Sequence, residues 1–106
     1  MKAKTASRID VQLPRAASAR QRRELTAFAR YCILRLEREL GGPKAWRVEI
    51  APSSGKYATH IAVHDLGGTS GAFEANGLGF DAALSTWEAI CRLEESLRAA
   101  MTNPAR

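Results

Sequence analysis

The chain has 106 residues, 45% apolar and 25% charged, enough for one small domain and ordinary for a globular one. Sixteen Lys+Arg against 11 Asp+Glu give a net charge of +5, spread unevenly: residues 1–47 hold 12 basic and 4 acidic groups (+8), residues 48–106 hold 4 and 7 (−3). No run of about 18 apolar residues exists and residues 1–13 contain no apolar stretch, so a membrane span is excluded and a cytoplasmic protein without a secretory leader is expected.

Residues 1–7 read as a short basic arm and residues 103–106 as a tail, with one domain over residues 8–102. Arg8-Ile9-Asp10-Val11-Gln12-Leu13 alternates polar and apolar, as a strand with one buried face does, and Pro14 ends it. Ser18 and Gln21 have the spacing of a capping box. After them Leu25, Phe28, Ala29, Cys32, Ile33, Leu36 and Leu40 recur at three and four, which predicts a helix over residues 19–40 stopped by Gly41-Gly42-Pro43.

Three strands are expected next. Residues 45–51 put Trp46, Val48 and Ile50 on one face; a turn cluster at Pro52-Ser53-Ser54-Gly55 follows. Residues 57–65 put Tyr57, Thr59, Ile61 and Val63 on one face and His60 and His64 on the other. Gly67-Gly68 suits a tight reversal, and a fourth strand is expected over roughly residues 70–76, broken by Gly77-Leu78-Gly79. Asp81 can cap a second helix, whose apolar side is read as Leu84, Trp87, Ile90, Cys91, Leu97 and Met101, with Ser85 and Glu88 opposite. The short loops suit antiparallel hairpins. The order β-α-β-β-β-α predicts an α+β, two-layer domain: a four-stranded sheet with two helices on one face and the other face open.

The basic half is the functional lead. Arg8, Arg15, Arg20, Arg22, Arg23 and Arg30 fall on or beside the first strand and helix, with Lys56, His60 and His64 later. Guanidinium groups suit bidentate phosphate contact, and cations near a helix N-terminus oppose its dipole, so helix stability does not explain them. The plainer reading of the arginines is a solvated face. Two histidines four apart on a strand stand about 13 Å apart, too far for one metal. No metal site, cofactor or catalytic residue is expected, and no nucleophile–base pair stands out. Cys32 and Cys91 read as small buried hydrophobes, a redox pair only if their Cα atoms come within about 7 Å. Trp46, Trp87, Phe28 and Phe80 read as core.

Over about residues 7–98 the chain resembles the ribosome hibernation promoting factors and related ribosome-associated inhibitors. The residues that carry this are Arg8-Ile9-Asp10-Val11, the helix ending Leu34-Arg35-Leu36-Glu37-Arg38-Glu39-Leu40, Thr59-His60-Ile61-Ala62-Val63-His64-Asp65-Leu66-Gly67-Gly68, and Phe73-Glu74-Ala75-Asn76-Gly77 followed by Asp81-Ala82-Ala83-Leu84. The resemblance implies a double-stranded-RNA-binding-like fold without catalytic residues. It implies a partner in small-subunit rRNA, met by basic side chains in the mRNA and tRNA channel, and a ribosome idled under stress. Where the family continues its last helix into a Lys-rich stretch, this chain has the nearly neutral Arg92-Leu93-Glu94-Glu95-Ser96-Leu97-Arg98, which weakens one expected phosphate contact surface. Two other readings stay open: a general RNA-binding domain, and an antitoxin-like protein-interaction domain with a protein partner or a second copy, for which Glu88, Glu94 and Glu95 offer an acidic face.

Overall fold

The computed structural model describes residues 7–40, 44–65 and 73–102. They form β1 (Arg8–Gln12), α1 (Ala19–Leu40), β2 (Lys44–Ser53), β3 (Lys56–Asp65), β4 (Phe73–Gly79) and α2 (Ala82–Thr102). The sheet order is β1-β2-β3-β4. β1 runs parallel to β2, joined to it by the crossover through α1, while β2, β3 and β4 form the expected antiparallel meander. The α+β architecture is the one the alternation and helix spacing predict.

Local signals act where expected. The Ser18 backbone N–H donates to the Gln21 side chain at 2.9 Å, and the Gln21 N–H donates to Ser18 Oγ at 3.1 Å. That reciprocal pair satisfies two N–H groups that α1 cannot satisfy internally. Asp81 Oδ1 accepts from the Leu84 N–H at 2.8 Å and starts α2. The β2–β3 hairpin is tighter than the turn cluster suggests. Pro52 and Ser53 remain paired, and only Ser54 and Gly55 turn, both with positive φ (49° and 80°).

Alternate residues of the central strands enter one core. Trp46, Val48 and Ile50 from β2 and Ile61 and Val63 from β3 pack with Cys32, Ile33 and Leu36 of α1 and Ala89, Ile90, Leu93 and Leu97 of α2. Trp46 keeps its indole N–H satisfied by donating to Glu37 at 2.9 Å. Glu37 also accepts from Ser7 Oγ, and Ser7 Oγ accepts from the Lys44 N–H at 3.1 Å, so one carboxylate ties α1 to the starts of β1 and β2.

Three expectations need correction. β4 does not break at Gly77-Leu78-Gly79 but continues through them, and residues 70–72 lie outside the described residues. The reason is steric. A Cβ on Gly77 would lie 2.3 Å from the Ser85 carbonyl oxygen and 2.4 Å from the Ala89 nitrogen, and one on Gly79 would lie 2.6 Å from the Ser85 nitrogen. The glycines let α2 lie directly on the strand. Second, α2 is turned relative to the expected stripe: Ser85 and Thr86 are buried, whereas Leu84 and Trp87 are 53% and 45% exposed. Small residues must face the glycines, and this rotates the large ones outward. Third, Phe80 is not core but 78% exposed.

Candidate nucleic-acid interface

α1 and α2 lie side by side on the sheet and run in the same direction, because the strands that precede them, β1 and β4, are parallel to each other through β2 and β3. Both helix N-termini therefore point to one end of the molecule. At that end the β1–α1 loop, the β2–β3 hairpin and the start of α2 converge: Pro14, Gln21, Pro52, Tyr57 and Ala82 line a single small cavity there.

This end is rich in basic side chains. Arg15 lies in the loop; Arg20, Arg22 and Arg23 lie in the first turns of α1; Lys56 begins β3. Neither helix has an acidic residue in its first turn. The positive end of the α1 dipole thus adds to the basic side chains, while that of α2 is capped by the Asp81 carboxylate. Arg20 is paired with Glu24 at 3.1 Å, and Arg22 donates to the Pro14 and Arg15 carbonyl oxygens at 3.0 and 3.2 Å, which fixes its guanidinium without neutralising it. Arg15 and Arg23 are exposed and have no charged partner among the described residues. Arg30 is likewise exposed and unpaired, and lies seven residues after Arg23, so the two share one flank of α1 about 10 Å apart along its axis.

The structure divides the sequence-predicted set. Arg15, Arg20, Arg22, Arg23 and Lys56 meet at the helix N-termini, with Arg30 two turns further along. Arg8, His60 and His64 lie elsewhere, on the open face of the sheet. That face is mixed in charge: Arg8 and Arg47 stand among Asp10, Glu49 and Glu74. Arg47 is locally balanced by Glu49 at 3.1 Å, and His60 is hydrogen-bonded to Glu74 at 2.8 Å. The two histidines are separated along β3 as the spacing requires.

The opposite end of the helices is electrically balanced. Glu94 is held by Arg98 at 2.6 Å and by Arg35 at 3.5 Å, and Arg98 also reaches Glu39 at 2.8 Å. The hydrogen bond from Arg98 lowers the Glu94 carboxyl below the ordinary carboxylate range, partly opposed by burial.

One surface was not foreseen from sequence. Leu78 (55% exposed), Phe80, Leu84 and Trp87 line an open groove of about 470 Å³ with Lys56, Glu88 and Cys91. The Lys56 ammonium stands 5.1 Å from the Phe80 ring centroid, and Glu88 accepts from the Leu78 N–H at 2.6 Å, covering an outward-facing donor of the edge strand. The available signal was the pair of glycines in β4. They demand small residues on the inner face of α2 and so send Leu84 and Trp87 outward.

No family model and no curated protein matches the chain. Solved structures do. The Thermus thermophilus Protein Y N-terminal domain is similar at TM-score 0.66 with 22% identity, over 86% of this chain and 96% of that one. A ribosomal subunit interface protein from Coxiella burnetii is similar at TM-score 0.64 with 13% identity, over 91% of this chain and 99% of that one. At these identities the likeness establishes a common fold, spanning nearly all of both neighbours.

Proposed function

We propose that this chain is a ribosome-associated factor of the hibernation type, which binds small-subunit rRNA through basic side chains and blocks translation by occupying space, without catalysis. The observation that carries this reading is the near end-to-end fold likeness to the Protein Y N-terminal domain and the ribosomal subunit interface protein, which covers 96% and 99% of those chains. The charge distribution supports it. The side chains we assign to phosphate contact are Arg15, Arg20, Arg22, Arg23, Arg30 and Lys56, with Arg8, His60 and His64 as contacts of the sheet face. Such contacts act by releasing counterions from the RNA, so binding depends steeply on salt. Co-sedimentation of the purified protein with ribosomes tests the reading. The protein is expected in the small-subunit and whole-ribosome fractions at low salt and free at high salt. Absence from both fractions at low salt overturns it.

A second reading, a protein-binding domain, is favoured by the exposed Leu78, Phe80, Leu84 and Trp87. It predicts a chain that stays off ribosomes, copurifies with one protein, and loses that partner on Phe80→Ala.

A further inference from the structure

Three side-chain contacts between α1 and α2 share one sequence separation. Trp87 meets Phe28 at 6.4 Å between ring centroids, Glu94 meets Arg35, and Arg98 meets Glu39; the second member follows the first by 59 residues each time. A constant separation means that the helices run parallel and in register along this stretch. Cys91 also follows Cys32 by 59 residues. The two cysteines therefore occupy the same level, one turn beyond the Phe28–Trp87 contact and one turn before Arg35–Glu94. The helices bring Cα atoms within 8 Å of each other. Helices packed about 8–10 Å apart, with Cα atoms on a radius of about 2.3 Å, can place residues of one level within the roughly 4.4–6.8 Å that a disulfide spans.

We propose that Cys32 and Cys91 are a redox-modification site, a dithiol that a hydroperoxide oxidises to a disulfide joining α1 to α2. The two thiols are free and differ in access: Cys32 is fully buried, while Cys91 is part-exposed and lines the groove beside Leu84 and Trp87. Cys91 is the thiol a hydroperoxide reaches. Its thiolate attacks the O–O bond; an S–O bond forms, the O–O bond breaks, and an alcohol (or water) leaves with a proton. Cys32 then attacks the Cys91 sulfur. An S–S bond forms, the S–O bond breaks, and hydroxide leaves as water with the Cys32 proton. Two thiols are oxidised by two electrons and one hydroperoxide is reduced. Burial raises the Cys32 thiol above its ordinary range, with Arg35 acting against it, in keeping with Cys91 as the thiol that reacts first. The site does not depend on the ribosome reading.

The test treats the folded full-length chain with hydrogen peroxide and maps its peptides by mass spectrometry without reduction. The expected product is a Cys32–Cys91 linked peptide within one chain, lighter by two hydrogens and restored by dithiothreitol. Cys32→Ala is expected to abolish the link and leave Cys91 trappable by dimedone as the sulfenic acid. Cys91→Ala is expected to leave Cys32 unoxidised. Circular dichroism confirms that each variant is folded. Chains linked only to one another, oxidised Cys91 without the internal link in the unsubstituted protein, or no reaction at either thiol overturns the proposal.

Discussion

Gly77 and Gly79 set how close α2 can come to β4. A methyl group at Gly77 would fall within 2.4 Å of backbone atoms of Ser85 and Ala89, and backbone cannot swing away as a long side chain can. Gly77→Ala is therefore expected to destabilise the domain by about 1–3 kcal/mol or more, read as a lower urea midpoint. Across the same contact, Thr59 Oγ1 lies 2.7 Å from Ser85 Oγ and 3.2 Å from Thr86 Oγ1, all three residues being buried. Thr59→Val keeps the shape and removes the shared hydroxyl. It is expected to cost about 1–3 kcal/mol, because buried hydroxyls of α2 lose a partner. At the β2–β3 turn the sign reverses. Ser54 holds φ at 49°, a conformation asparagine tolerates better, so Ser54→Asn is expected to stabilise by about 0.5–1 kcal/mol in the same measurement. These residues also show where sequence is legible and where it is not. Ser18, Gln21 and Asp81 act through neighbours three residues away, and such local patterns can be read directly. Ser85 is polar yet buried because of two glycines on a strand it meets only in three dimensions, so periodicity alone places it outside.

Between elements, the parallel register of α1 and α2 joins an aromatic contact at one level to a charge network two turns later. Trp87 is held against Phe28 and stays 45% exposed, while Arg35, Glu39, Glu94 and Arg98 close the far end. Glu94 is the acid-sensitive member. Its folded carboxyl titrates below its unfolded value, so the stability it contributes is fully present above the ordinary carboxylate range and is lost as pH falls through the lowered folded value. Glu94→Gln is expected to be less stable than the unsubstituted protein at neutral pH, with the difference closing in strong acid; thermal melts across that range check it. High salt is expected to narrow the neutral-pH gap as well, because Arg98 is exposed to screening. The strand alternation that placed Trp46, Val48, Ile50, Ile61 and Val63 in the core was readable because each strand buries a single face. The pairing of β1 with β2 was not, since nothing within either segment distinguishes a parallel neighbour from an antiparallel one.

At the scale of the whole molecule, the asymmetry of the sequence becomes an asymmetry in space. The +8 of residues 1–47 is not presented uniformly: toward its N-terminal end α1 carries Arg22, Arg23 and Arg30 without carboxylate partners among the described residues, while Arg35 further along is held by Glu39 and Glu94. The open sheet face, where the sequence placed Arg8, His60 and His64 as contacts, is offset by its own carboxylates. If the N-terminal end meets rRNA, position and not net charge decides affinity. Arg23 and Arg38 allow a clean comparison, since both are exposed and without charged partners among the described residues, on the same helix, four turns apart. Replacing either with glutamine changes the net charge identically. Under the proposed function Arg23→Gln weakens ribosome binding and lowers the slope of log affinity against log salt by about 1. Arg38→Gln, which lies beside the balanced end, leaves that slope where it was. Sedimentation titrations at several salt concentrations measure both. Equal slopes for the two variants would show attraction by overall charge alone, and would remove the basic end from the interface while leaving ribosome association itself intact.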